Sequence, residues 1–302
     1  MSVLDEQNQS LRLQDISPYH KLLGYRGIQR INAVLYYLLL TVFILIVLIP
    51  FYWMAKASVS NREQILETPP IYLPNPTFEN FLIVAEQVPL MLFLKNSLIF
   101  SVLSAVGSVT ISFLAAYAFA RIKFRFSGLL LLILIMSTSI PEIALIIPLY
   151  QVLAKLQLLD TLAGLILILT SAMAPFTVWV LISFMKQIPY EIEEAAIIDG
   201  ASLLQVLWKI VVPVTAPGLV TMLVINFISG WNDLLHPLVF SATEKAKTLS
   251  VAIIYIFNFR APWGLPWNLV STVGMIMIVP IISLLLISQK AIVEGLTRGA
   301  IK

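Results

Sequence analysis

Long apolar stretches separated by short polar segments dominate the chain from residue 31 onward. A helix needs roughly 20 consecutive apolar residues to cross the hydrocarbon core of a bilayer, which is about 30 Å thick. About six stretches reach that length, and each is apolar on all sides, so length rather than periodicity indicates a spanning helix. The pattern predicts an all-α membrane protein with spans near 33–54, 96–119, 128–149, 162–185, 217–240 and 270–288.

Composition supports the bilayer as the solvent for most of the chain. Of its 302 residues, 59% are hydrophobic and 12% are charged, whereas a soluble domain has roughly 45–50% apolar and about 25% charged residues. We therefore expect a polar tail over residues 1–30 and a single transmembrane domain over residues 31–302.

The distribution of Lys and Arg predicts the orientation of the chain. Arg121, Lys123 and Arg125 lie together in the short segment after the second span, and further basic residues lie in the N-terminal tail and near the C-terminus. Positively charged short loops stay in the cytoplasm. With six spans these segments share one side, so both termini are expected to be cytoplasmic.

Several functional classes lack the residues that they would need. The chain has no Cys, which excludes a disulfide framework and thiol chemistry. Its two His residues form no metal-binding pattern, and no run of Lys and Arg is long enough for a nucleic-acid surface. We expect no catalytic residues, no metal and no nucleic acid, with membrane lipid as the surrounding medium.

The longest segment of mixed polarity on the predicted cytoplasmic side is residues 186–214, which we call the coupling loop. Pro189 and Gly200 suit the start and the end of a short helix. Ser202 and Gln205 have the spacing of a capping box for a second helix, which is expected to end before Pro213. On these local signals, a helix pair that binds a partner and a purely structural hairpin are equally good interpretations.

The same loop resembles the EAA loop of ATP-binding-cassette (ABC) importer permeases. That pattern reads E-A-A, three residues, G, nine residues, I, one residue, L-P. Here Val212 replaces the usual Leu. The matching or adjoining residues are Glu193, Glu194, Ala195, Ala196, Asp199, Gly200, Ala201, Ile210 and Pro213.

Further segments resemble the carbohydrate-uptake branch of these permeases, and in particular the smaller permease of maltose-type systems. They are residues 75–81 after the first span, Asn96 with Ser97, residues 116–121, Trp231-Asn232-Asp233, and the tail 295–302, which reads G-L-T-R-G-A-I-K.

The resemblance implies a type I importer permease in a bacterial or archaeal plasma membrane. It also implies a complex with a second permease, two ATPase subunits and an extracytoplasmic sugar-binding protein. This chain has no G-x-x-x-x-G-K-[ST] sequence, so ATP and magnesium would be bound by the ATPase subunits. The coupling loop would lie in a groove of an ATPase subunit and transmit its movement.

Polar residues within spans are candidates for the substrate pathway, because polar groups in a membrane usually face a cavity or a partner. These candidates are Glu142, Asn226, Trp231, Asn232 and Asp233. Two alternatives remain open: Pro141 could break the third span and bring Glu142 to the outer interface, and Asn232 with Asp233 could instead brace helices.

The segment 241–269 is expected to be a large exposed outer loop. By resemblance, an aromatic, turn-rich part of it would contact the binding protein, and membrane anchoring by its tryptophans is the alternative. That part contains Asn258, Phe259, Arg260, Pro262, Trp263, Gly264 and Trp267.

A secondary transporter driven by an ion gradient is the alternative function. Such a protein needs buried acidic coupling residues and commonly has an internal repeat. The sequence offers one candidate acid in mid-span and no clear repeat, so the importer interpretation is preferred.

Overall fold

Every regular element in the described part of the chain is helical, as predicted. The computed structural model describes residues 18–258 and 264–300, with side chains over 29–257, 264–290 and 292–293. The helices are α1 Pro18–Ser58, α2 Arg62–Leu66, α3 Glu79–Gln87, α4 Leu90–Arg121, α5 Ser127–Ser137, α6 Glu142–Lys155, α7 Leu162–Met185, α8 Tyr190–Ile198, α9 Leu203–Val206, α10 Val212–Asn232, α11 Leu235–Phe240, α12 Leu249–Asn258 and α13 Trp267–Ala300.

Five helical stretches are long and apolar enough to cross a membrane, and a bent pair of helices adds a sixth. These five stretches lie in α1, α4, α7, α9 joined to α10, and α13. The described part of the chain divides into two compact units, one up to Lys56 and one from Ala57 onward. Within the first unit, α1 exposes apolar side chains such as Val34 (67%) and Tyr37 (65%), as expected of a helix whose surroundings are lipid or another chain.

The core of the second unit is built on α4, which packs against α7 and α10, while α10 also packs against α13. A row of buried serines lies along α4, and small side chains let neighbouring helices approach closely. Asn226 of α10 donates hydrogen bonds to Ser108 of α4 at 3.2 Å and to Thr177 of α7 at 3.0 Å. One amide therefore joins the three central helices.

The prediction of one continuous third span over 128–149 was wrong, because α5 and α6 meet at an angle of 100°. Pro141 has no N–H group and disfavours helical backbone at the residue before it. Ser137 and Thr138 donate to the carbonyls of Leu134 and Ile135, both at 2.7 Å. The helix break at Pro141, which was the alternative prediction, is therefore present. Glu142 is the first residue of α6.

The prediction that the second helix of the coupling loop ends before Pro213 was wrong. Instead α9 continues through a π-helical turn, Leu207–Val211, directly into α10. A π turn uses wider hydrogen-bond spacing, which accommodates a proline that cannot donate a backbone hydrogen bond. The last 12 residues of the coupling loop, 203–214, are therefore an extension of the fifth span. That span ends at Asn232, and α11 follows as a separate helix rather than as its continuation to residue 240.

The expectation of an exposed loop over 241–269 was also wrong for its first part. The helix α12 lies in this segment, and its residues Val251, Ala252 and Ile256 are fully buried. Asn96 of α4 donates to the carbonyls of Lys245 and Lys247, both at 2.9 Å. The amide of Leu249 donates to Ser97 Oγ at 2.7 Å. The N-terminal end of α4 therefore holds this segment against the bundle.

Two glycines near helix starts provide a test of how closely the bundle packs. A Cβ at Gly164 of α7 would lie 2.3 Å from the carbonyl oxygen of Leu158, whereas a Cβ at Gly128 of α5 would meet nothing within 4 Å. We expect Gly164→Ala to destabilise the protein by about 1–3 kcal/mol, the usual cost of overpacking. Gly128→Ala should be neutral or slightly stabilising.

The measurement is thermal unfolding of each purified variant in the same detergent. Equal melting temperatures for the two variants would show that the contact between Gly164 and Leu158 is looser than described.

Candidate functional site

The coupling loop begins with α8, whose local geometry follows from its sequence. Pro189 is the N-cap residue, and Gly200 follows the helix with a φ of +87°. The capping box between Ser202 and Gln205 is present, with both of its hydrogen bonds formed. These three predictions are confirmed. A turn at Gly200 thus separates α8 from the extended helix α9–α10.

The side chains of the coupling loop divide into an outward and an inward group. Glu194, Ala195, Asp199 and Gly200 are exposed, as is Pro213. Ala196, Ala201 and Ile210 are half-buried, and Glu193 is buried. Exposed apolar residues continue the outward face along the loop, namely Ile197, Ile198, Leu203, Leu204 and Trp208. An exposed apolar surface of this kind marks an interaction site.

Glu193 differs from the acids beside it because it faces the bundle. Its carboxylate accepts from Arg121 Nε at 2.7 Å and from the Tyr117 hydroxyl at 3.0 Å. Arg121 also donates to the carbonyl of Ile188 at 2.9 Å. Glu193 was predicted as part of the coupling loop, but its ion pair was not predicted, because the two residues are 72 positions apart.

The structure divides the five candidates for the substrate pathway between two places. Asn226 is buried between α4, α7 and α10, and its amide donates to Ser108 and Thr177 there. Trp231 is 1% exposed, and its indole donates to the carbonyl of Met277 at 3.0 Å. Both side chains thus make contacts inside the bundle.

The other three candidates line a cavity of about 470 Å³. Glu142 reaches it from the start of α6, and Asn232 and Asp233 reach it from the end of α10. Ser229 and His236 also line it, and His236 Nδ1 lies 2.8 Å from Asp233 Oδ2. Hydroxyl, amide and carboxylate groups from different helices therefore converge on one space.

This cavity shares Glu142, Ala172 and His236 with a neighbouring space of about 420 Å³ under the break between α5 and α6. His236 and Ser229 were not predicted as residues that line the cavity. The sequence shows that both residues lie close to Asn232 and Asp233 along the chain. It does not show the turn that ends α10 and brings their side chains to the same cavity. Among the described residues, no group of three His, Cys, Asp or Glu side chains could hold a metal ion.

The predicted contact loop for the binding protein is described only at its edges. Phe259, Arg260, Pro262 and Trp263 lie outside the described residues, as does the side chain of Asn258. Gly264 is exposed with a φ of +106°. Trp267 starts α13, is 53% exposed, and places its ring 6.2 Å from that of Phe257, edge to face.

Asp160 joins the α6–α7 connection to the segment after α11. Its carboxylate accepts from the Thr243 amide at 2.9 Å and from the Thr243 hydroxyl at 2.6 Å. These hydrogen bonds lower the pKa of Asp160 below 3.8, because they stabilise the charged form. The contact thus depends on an ionised carboxylate in a loop.

The chain matches known proteins over most of its length. Residues 107–298 match the family described as binding-protein-dependent transport system inner membrane component. A sulfoquinovosyl glycerol transport system permease protein of Agrobacterium fabrum is 34% identical over 84% of this chain and 89% of its own length. A trehalose/maltose transport system permease protein of Thermococcus litoralis is 34% identical over 85% of this chain and 92% of its own length.

The fold also matches that of a solved transporter. The chain superposes with a TM-score of 0.74 on the crystal structure of a bacterial ABC transporter involved in the import of the acidic polysaccharide alginate. The sequence identity is 23%, and the match covers 86% of this chain and 96% of the other. At this identity the likeness establishes the shared fold.

Acid should release the contact between Asp160 and Thr243 only at low pH. Because the pKa of Asp160 is lowered in the folded protein, its contribution is present above the unfolded value of 3.8 and is lost as the pH falls through the lower folded value. A spin label at the exposed position of Ala242 should have constant mobility between about pH 8 and about pH 5. Its mobility should rise only below pH 3.8.

Asp160→Ala should mobilise the same label at every pH. A transition in the native protein near neutral pH would contradict the assignment of this contact to Asp160.

The turn at Gly200 requires left-handed backbone but has free space around it, since a Cβ there would meet nothing within 4 Å. Val should therefore disturb the turn through its backbone preference alone, by about 1–2 kcal/mol, whereas Asn tolerates this conformation better. Spin labels at the exposed positions 191 and 204 report the angle between α8 and α9.

The distance distribution should broaden in Gly200→Val and stay close to that of the native loop in Gly200→Asn. The same broadening in both variants would mean that steric contact, rather than the φ angle, sets the turn.

Proposed function

Since this chain belongs to the family of binding-protein-dependent transport system inner membrane components, we propose that it forms, with a second permease, the pathway by which an importer takes up a carbohydrate. The chain is the membrane-spanning permease subunit of an ABC importer, and ATP is hydrolysed by separate ATPase subunits. The observation that carries the proposal is the EAA-type coupling loop, folded as an exposed helix, a glycine turn and an extension of a spanning helix.

The outward face of α8 is the proposed contact with the ATPase. Ala195 presents little bulk, so a groove can approach the backbone closely, and Glu194 offers a charge to a basic residue. Ile198, which is 84% exposed, adds apolar area that gains stability when it is covered. Asp199, Ala201 and Gly200 form the turn beside this contact.

A sugar is the proposed substrate, as an oligosaccharide, a glycoside or a polyol. Relatives at 34% identity are named as permeases for sulfoquinovosyl glycerol and for trehalose/maltose. The cavity beside Glu142, Asn232 and Asp233 offers hydrogen-bonding groups of the kind that sugar hydroxyls require. Asn226 and Trp231 would support this wall from within the bundle rather than line it.

The proposed complex contains a second permease, two ATPase subunits and an extracytoplasmic binding protein, with ATP and magnesium on the ATPases. The structure of an alginate ABC transporter with a pentasaccharide-bound periplasmic protein has the same fold, with a TM-score of 0.63 at 18% identity. The chain is a multi-pass protein, and we place it in a plasma membrane with the coupling loop and both termini in the cytoplasm, following its basic residues. The segment 258–267 would contact the binding protein on the opposite side.

The test is co-purification followed by transport. The tagged chain, solubilised in mild detergent, should bring a second permease and an ATPase with it. Glu194→Lys should remove the ATPase, because a basic residue of the groove would then face a like charge. Glu86→Lys makes the same charge change at an exposed position of α3, and this variant should keep all partners.

In proteoliposomes, uptake should stop without ATP and continue when the ion gradients are collapsed. If the chain purified alone and uptake followed the ion gradient, the chain would be acting as the secondary transporter that was the alternative.

A further inference from the structure

The ion pair between Arg121 and Glu193 lies where three elements meet. Arg121 is the last residue of α4, Ile188 lies in the turn after α7, and Glu193 lies in α8. The side chain of Glu193 is 1% exposed and that of Arg121 is 10% exposed. A buried charge pair is stable only when its remaining hydrogen-bonding groups are also satisfied.

The surrounding residues meet that requirement. Arg121 Nε and Nη2 both lie 2.7 Å from Glu193 Oε1, and Nη2 also donates to the carbonyl of Ile188 at 2.9 Å. The Tyr117 hydroxyl donates to Glu193 Oε2 at 3.0 Å. The guanidinium carbon lies 5.8 Å from the ring centroid of Tyr190, within the range of a cation–π interaction. We call Arg121, Glu193 and Tyr117 the brace.

The brace attaches α8 to the bundle through side chains, in addition to its two chain connections. The chain itself connects α8 to α7 before it and to α9 after it, through the turns at residues 186–189 and 199–202. The first of these turns contacts α4, which is distant in sequence, through the hydrogen bond from Arg121 to the carbonyl of Ile188. The brace joins α8 to α4 directly, so a displacement of the coupling loop also acts on α4.

The other end of α4 is attached as well. This helix has 32 residues, which corresponds to a length of about 48 Å. At its N-terminal end, Asn96 and Ser97 hold the backbone of Lys245, Lys247 and Leu249. At its middle, Ser108 accepts from Asn226. One rigid helix therefore connects the coupling loop with the segment 245–249 at the opposite end of the bundle.

From these contacts we infer that Glu193 is a positioning residue, which locks α8 to α4 through the brace so that movement of the coupling loop is transmitted along α4 to the segment 245–249. This inference rests on the proposed function and assigns separate tasks to adjacent acids. Glu194 faces the ATPase, and Glu193 faces the bundle. Energetic coupling of this kind requires an element that is biased from both ends, and α4 is that element.

The test uses the whole complex in proteoliposomes and measures ATP hydrolysed per sugar molecule imported. Glu193→Gln keeps the size of the side chain and removes its charge. We expect the complex to assemble and to hydrolyse ATP, with the ATP used per sugar rising about fivefold or more, the lower end of typical coupling factors. Glu86→Gln makes the same change at an exposed acid of α3, outside the coupling loop; this variant is the matched control and should keep the native ratio.

Two further variants keep the test decisive if the Glu193→Gln chain does not insert and fold. Tyr117→Phe removes one hydroxyl and should raise the same ratio by a smaller factor. Arg121→Lys keeps the charge, but a single ammonium group lacks the forked donors that bond to both Glu193 and Ile188. This variant should therefore raise the ATP used per sugar about as much as Glu193→Gln does.

An environment-sensitive fluorophore at Lys245→Cys provides a readout that a merely structural role would not change. Its side chain is exposed, and the native chain has no other cysteine to label. ATP should change the fluorescence in the otherwise native complex, and the change should be much smaller with Glu193→Gln.

Three results would overturn the inference. The first is a native ATP-to-sugar ratio in Glu193→Gln and Tyr117→Phe, and the second is an unchanged fluorophore response in Glu193→Gln. The third is loss of the ATPase from Glu193→Gln, which would make this residue part of the contact with the ATPase. Failure of the native chain to assemble with any ATPase would instead overturn the proposed function itself.

Discussion

A bilayer offers no water to satisfy backbone N–H and C=O groups, so each of these groups must find its partner within the protein. The described residues meet this constraint with helices almost throughout. Where the backbone departs from the α-helix, local features satisfy the backbone hydrogen-bonding groups in another way. At the break before Glu142, the hydroxyls of Ser137 and Thr138 bond to carbonyls of the preceding turn. Before Pro213, which has no backbone N–H to donate, the helix forms a π-helical turn with wider hydrogen-bond spacing. The chain thus bends where side chains or wider turns permit it.

The same constraint explains how three buried asparagines are used. Asn80 donates to the carbonyls of Ser58 and Ser60, and Asn96 donates to those of Lys245 and Lys247. Both therefore donate to backbone carbonyls outside the regular hydrogen-bond ladders of the helices. Asn226 joins helices through side chains instead. Other polar groups, among them those of Glu142, Asn232 and Asp233, line the open cavity instead.

Local features of the coupling loop were predictable because their causes lie within a few residues. The capping box at Ser202 and the positive φ of Gly200 depend on spacing and on residue type alone. The spans followed from length and composition. The break at Pro141 was foreseen only as an alternative, since proline in a membrane helix can either bend it or end it. The burial of α12 was not foreseen, because its apolar residues lie in a stretch too short to suggest a span.

Long-range partners could not be read from the sequence, and Glu193 shows why. It stands between Glu191 and Glu194, and all three acids suit the first turns of a helix equally well. Successive residues of an α-helix turn by about 100°, so neighbouring acids cannot share a face. Which acid faces inward depends on where α8 lies against Arg121, a residue on a helix distant in sequence. A loop that binds one partner and moves another helix needs both kinds of face. Adjacent acids on one short helix supply them, because helical geometry directs Glu194 outward whenever the brace draws Glu193 inward.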